Sequence, residues 1–287
     1  MEWIITYLTS SIGKKQIMGF TGAILAMFIL GHMIGNIQLI NLDPLAAQAS
    51  YNAYAELLTG HKAFIYTVEA VMGSVFLLHI FLAVTLKLQN KKARGSIDYD
   101  VNARKGKKSF ATFTMIWSGL FVVFFLVTHL ISLKFGEYFF YQNAEVAGGK
   151  VVRDMWLTTV IAFADIKFSA FYVIGMFIIG LHLFHAISSA FQTLGIAHQK
   201  WTPFIEALGV GYTLVVSLGF AIIAVACFVL SNKPETQALI EKSRDIGKQK
   251  MLEEQKVLED AKKGAFILPS AIENKSVSYV FEMNGGR

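Results

Sequence analysis

Five long apolar runs constrain this chain more than any other feature. They cover about residues 17–40, 63–86, 110–133, 168–191 and 207–230. Each is long enough to cross a hydrocarbon core of about 30 Å, which takes roughly 20 helical residues. Inside a bilayer every backbone N–H and C=O must be satisfied within the protein, so uninterrupted runs of this kind read as helices. Composition agrees, with 54% of the 287 residues hydrophobic and 16% charged, where a soluble domain has about a quarter charged. The expectation is an all-α polytopic membrane protein, with a five-span membrane domain over residues 1–232 and a charged tail, helical in part, over 233–287. A water-soluble enzyme does not fit this balance.

Lys14 and Lys15 lead straight into a full-length first run with no small-residue cleavage pattern, so no cleavable signal peptide is expected. The one cysteine, Cys227, lies in the fifth run. It excludes an internal disulfide, a thiolate-ligated cluster supplied by this chain alone, and a haem attached through C-x-x-C-H. The net charge of +6 raises the question of nucleic acid, but the basic residues concentrate between the second and third runs. That connection holds Lys87, Lys91, Lys92, Arg94, Arg104, Lys105, Lys107 and Lys108 against Asp98 and Asp100. Membrane orientation accounts for it, so no nucleic-acid partner is expected. By the positive-inside rule the connection and the N-terminus are cytoplasmic, and the segments at 41–62 and 134–167 and the C-terminus lie outside. From 236 to 263 charges alternate with Leu239, Ile240, Ile246, Met251, Leu252, Val257 and Leu258, the pattern of a solvated helix with a thin apolar stripe. No internal repeat is evident.

Ionisable residues inside a bilayer are costly and concentrate at functional sites, which makes the histidines informative. His61 and His198 fall between runs, whereas His32, His79, His129, His182 and His185 fall within them, at least one on each of the first four. Any single one of these is explained by a bond to a carbonyl on a neighbouring helix; four helices contributing one each ask for more. At about 1.5 Å rise per residue, His32 and His129 come to the outer half and His79 and His182 to middle or inner depth. Two facing imidazoles across a bundle are what a six-coordinate b-type haem requires, so the spacing suggests two stacked bis-histidine sites in a four-helix bundle. His185, three residues after His182, competes with it for the inner site. Glycines at 19, 22, 31, 35, 73, 119, 175 and 180 leave room for a macrocycle and equally serve ordinary helix packing.

The motifs around these histidines are G-H-M-I-G-N at His32, Y-N-A-Y-A-E at 51–56 and E-A-V-M-G-S-V-F-L-L-H from Glu69 to His79. They continue with S-G-L-F-V-V-F-F-L-V-T-H from Ser118 to His129 and F-Y-V-I-G-M-F-I-I-G-L-H from Phe171 to His182. In this order, over roughly residues 13–230, they resemble the dihaem cytochrome b anchor of succinate:quinone oxidoreductases, the family of succinate dehydrogenase and fumarate reductase. The resemblance implies two haems b, held by His32 with His129 and by His79 with His182. It implies a flavoprotein subunit and an iron–sulfur subunit as separate partners, and membrane quinone, expected to be menaquinone, as substrate. The chain itself would be a non-flavin subunit with no catalytic dehydrogenase residues, set in the lipid of the cytoplasmic membrane. The whole complex would be free to form a homo-oligomer, and the basic segment at 87–108 would be the cytoplasmic surface on which the partner subunits dock. Glu56 and Glu69, with Asn36 and Gln38, are the candidates for a quinone or proton site. Two departures stand out: Gly180 occupies a place where fumarate reductases of this type can carry a glutamate, and the charged tail is not part of the pattern.

Three other readings fit the same residues. They are a dihaem anchor of another quinone-linked dehydrogenase, such as a hydrogenase or formate dehydrogenase, a non-redox membrane protein with a histidine proton relay, and a haem-free structural anchor.

Overall fold

The computed structural model describes residues 2–94, 108–144, 146–196 and 198–264. The helices are α1 (Glu2–Thr9), α2 (Ser11–Asn36), α3 (Pro44–Thr59), α4 (Lys62–Arg94), α5 (Lys108–His129), α6 (Met155–Ala162), α7 (Ile166–Thr193), α8 (Thr202–Ser231) and α9 (Pro234–Gly264). Five segments are long and apolar enough to cross a membrane: Ser11–Ile40, Lys62–Ala93, Thr114–Lys134, Ile166–Thr193 and Thr202–Ser231. The protein is therefore an all-α polytopic membrane protein. Its spans carry exposed Phe20, Met27, Leu77, Phe81, Trp117, Phe177 and Leu218, the apolar belt that lipid covers. The basic segment between α4 and α5 lies largely outside the described residues.

The chain forms two compact units. The first gathers the described parts of Met1–Gly35, Lys62–Phe125 and Val173–Ala221. Small residues set its helix contacts. A Cβ on Gly19 would sit 3.8 Å from the Ala190 backbone, and one on Gly175 only 2.9 Å from the Phe125 ring. The Tyr212 hydroxyl donates to the Ala26 carbonyl at 2.5 Å, a bond across helices in surroundings without water to compete for either partner.

The second unit gathers the described parts of Asn36–His61, Leu126–Tyr172 and Ile222–Arg287. Here two segments expected only as loops contain helices, and the reason lies in their first residues. Asp43 precedes Pro44 and accepts from the amides of Leu45 and Ala46, a helix start with proline at its first position. Asp154 does the same for α6 through Leu157 N at 2.9 Å. Between α5 and α6 a two-residue antiparallel pairing sets Phe140 opposite Arg153 and Tyr141 opposite Val152. Arg153 then turns its guanidinium onto the carbonyls of Lys134 (2.6 Å) and Gly136 (3.1 Å), satisfying acceptors left at the end of the third span.

The described part of the charged tail, α9, is packed over its first half. Thr236, Leu239 and Ser243 of α9 are buried. Ser243 Oγ accepts from Phe140 N at 2.7 Å, and Gly247 lies so close to the Phe140 ring that a Cβ there would come within 2.7 Å of it. Beyond that point Met251, Leu252 and Val257 are exposed.

Candidate functional site

In the first unit His79 on α4 and His182 on α7 have matching surroundings. His79 Nδ1 lies 3.1 Å from Thr21 Oγ1 on α2, and His182 Nδ1 lies 3.1 Å from Ser118 Oγ on α5. Each hydroxyl spends its single hydrogen on its own helix. Thr21 donates to the carbonyls of Ile17 (2.9 Å) and Met18 (3.0 Å), and Ser118 to those of Thr114 (2.9 Å) and Met115 (3.1 Å). The oxygen can then accept from the imidazole, an arrangement that would put the proton on Nδ1 and leave the lone pair on Nε2. That is the tautomer in which a histidine ligates through Nε2 while a neighbour fixes the plane of its ring.

A glycine follows each hydroxyl residue. A Cβ on Gly22 would lie 3.2 Å from His79 Cε1, and one on Gly119 would lie 3.4 Å from His182 Cε1. The rings thus seat against bare backbone. His185, one turn beyond His182, packs edge-on to Phe184 with ring centroids 5.1 Å apart; the hydroxyl contact belongs to His182.

His32 also lies in the first unit, stacked on Phe28 at 5.7 Å with the planes 7° apart and flanked by Phe220 at 5.7 Å. Glu69 is on α4, exposed, at the eighth residue of the helix. A Cβ on Gly180 would lie 2.5 Å from Ser217 Oγ, so a larger residue there requires that hydroxyl to turn away.

His129 lies in the second unit. Its Nδ1 is 3.4 Å from the Tyr172 hydroxyl, and the Tyr172 ring meets Phe163 edge-on (4.7 Å) and Phe168 at a tilt (4.6 Å). Directly after His129 the backbone widens into a π-helical turn over Leu130–Lys134. A cavity of about 310 Å³ opens beside it, lined by Ser132, Glu137, Thr158, Asp165 and Phe168 among others. Glu56, half-buried on α3, is not among its lining residues.

The second unit also holds a fully buried carboxyl that sequence reasoning missed. Asp154 accepts from Gln48 Nε2 (2.5 Å), Asn52 Nδ2 (2.8 Å) and Leu157 N, while Asn52 Oδ1 accepts from Trp156 N at 3.1 Å. Burial raises its pKa above the ordinary carboxylate value, and these donors only partly oppose the rise. One residue along α3 from Asn52, Tyr51 donates to Asn36 Oδ1 at 2.8 Å, and burial pushes its phenol up as well.

A sequence signal for the hydroxyl contacts was present and overlooked. Thr21-Gly22 precedes His32, and Ser118-Gly119 precedes His129, each hydroxyl residue by eleven positions. The same spacing on two spans is a short internal repeat, hidden because Phe28 and Phe125 are the only residues between that coincide.

Comparisons with protein-family models, curated proteins and solved structures give no match for this chain. The fold defines the class alone, a polytopic helical membrane protein with histidines on four of its spans.

Proposed function

We propose that this chain is the membrane anchor and electron-transfer subunit of a succinate:quinone oxidoreductase, carrying two haems b between an iron–sulfur partner and membrane quinone. The observation that carries the reading is the matched pair His79–Thr21 and His182–Ser118, two imidazoles on separate spans with Nδ1 engaged and Nε2 left as a donor. Gly22 and Gly119 remove the side chains that would crowd the rings. This donor set fits a bis-histidine haem.

Haem b, when bound, would supply a one-electron couple within the membrane. The chain's own part is to hold, orient and insulate. His79 and His182 bind at one level, and His32 and His129 at another that follows from the residue spacing along their spans. Thr21 and Ser118 set the ring planes of the first pair, and Tyr172 meets the ring of His129. The cleft at Ser132, Glu137, Thr158, Asp165 and Phe168 combines an aromatic wall with carboxylates able to exchange protons with a quinone headgroup, and Ser132 follows His129 by three residues. Glu56 and Glu69 remain the other candidates for that role.

A proton relay through the histidines is disfavoured by the same bonds. The hydrogen of each hydroxyl ends on a backbone carbonyl of its own helix, so neither Thr21 nor Ser118 passes a proton onward.

The partners follow from what the chain lacks, since none of its motifs suits a flavin or an iron–sulfur cluster. We place the complex in the cytoplasmic membrane with the N-terminus inside, on the charge of the segment at 87–108. Mild detergent extraction should bring down a flavoprotein and an iron–sulfur protein with this chain, and succinate should reduce its haem in native membranes. Isolation of the chain alone, together with haem that succinate does not reduce, would overturn the assignment to this complex.

A further inference from the structure

Glu69 is an acidic residue set within a span, and a carboxylate there calls for a partner. The helix registers point to one. Thr21 and His79 touch, which fixes a common level on α2 and α4. From Thr21, eleven residues along α2 lead to His32; from His79, ten residues back along α4 lead to Glu69. These are consecutive spans, so both steps go toward the same membrane face. At about 1.5 Å per residue they cover ~16.5 and ~15 Å, which brings Glu69 and His32 to one level within about 2 Å.

The other two helices test the counting. Ser118 and His182 touch. Eleven residues along α5 lead from Ser118 to His129, and ten residues back along α7 lead from His182 to Tyr172. There the Tyr172 hydroxyl and His129 Nδ1 are 3.4 Å apart. Glu69 holds on α4 the register that Tyr172 holds on α7, ten residues before the neighbouring histidine and so at the same angular offset from it.

We infer that Glu69 is a positioning residue that accepts the Nδ1 proton of His32, completing a set in which each of the four histidines is oriented by a side chain from an adjacent span. The set is His79 by Thr21, His182 by Ser118, His129 by Tyr172 and His32 by Glu69. The last member differs in chemistry, because a carboxylate is a charged acceptor and makes the imidazole a stronger electron donor. A ligand so paired favours the oxidised iron. The inference rests on the haem reading.

The test is a potentiometric titration of the purified complex with Glu69→Gln, run beside the wild type and Tyr172→Phe, with low-spin electron paramagnetic resonance spectra of each. Glu69→Gln should raise the midpoint of one haem, leave the other unmoved and change the low-spin signal of that haem alone. Glu69→Asp should restore part of the shift. Unchanged potentials and spectra in a complex holding both haems would overturn the inference while leaving the proposed function standing; a wild-type preparation with no haem would overturn the function itself. If Glu69→Gln does not assemble, redox-induced infrared spectra of the wild type with ¹³C-glutamate settle the matter. Label-shifted carboxylate bands that follow one haem are expected, and their absence would count against the pairing.

Discussion

Thr21 and Ser118 are small residues with a large share in the site. A buried imidazole N–H deprived of its acceptor costs about 1–3 kcal/mol, and each residue supplies that acceptor from a different span. Thr21→Val keeps the side-chain volume and removes the acceptor; Ser118→Ala does the same on the opposite side. Each is expected to weaken retention of one haem by about that amount and to leave the other in place, read as haem loss on heating in detergent. Loss of both haems in parallel, or of neither, would contradict separate sites. At this scale the sequence makes the histidines stand out and hides the hydroxyls beside them. A histidine within an apolar run is conspicuous, whereas a threonine or serine in the same run blends with residues that bond their own helix.

Among elements, the five spans were legible because lipid demands length and apolarity together. The runs read at 17–40, 63–86 and 168–191 lie within the helical segments Ser11–Ile40, Lys62–Ala93 and Ile166–Thr193. The connections were less legible, since α3 and α6 are held by capping and burial rather than by a long apolar face. Asp154 joins them, capping α6 while receiving Gln48 and Asn52 from α3. Asp154→Asn leaves one acceptor oxygen where three donors converge, so at least one donor is orphaned and the unit should lose about 1–3 kcal/mol. The pH dependence has a definite sign. The folded pKa lies above the unfolded value, so the native state holds this proton more tightly. Its contribution to stability is fully present below the ordinary carboxylate value and falls as pH rises through the raised one. Thermal unfolding followed against pH should show that decline in the wild type and a flatter profile in Asp154→Asn; a wild type that gains stability across the same interval relative to the variant would contradict the assignment.

On the scale of the whole molecule, helices α2 and α5 each carry one histidine and, eleven residues earlier, a hydroxyl 3.1 Å from a histidine on another span. Such cross-bracing ties the spans together through the proposed ligands. The amphipathic tail was read as a helix with an apolar stripe, and its first half is packed on the second unit through Ser243 and Gly247; the sequence could not say which half, because the stripe continues past the point where contact ends. The central claim is that the four histidines hold two haems b. A reduced-minus-oxidised difference spectrum of the purified full chain, with haem quantified as the pyridine haemochrome against protein, measures it directly. The account predicts a b-type spectrum and two haems per chain, falling to one in His182→Ala; a chain that inserts and folds yet carries no haem, or one that keeps both when His182 is replaced, would contradict it.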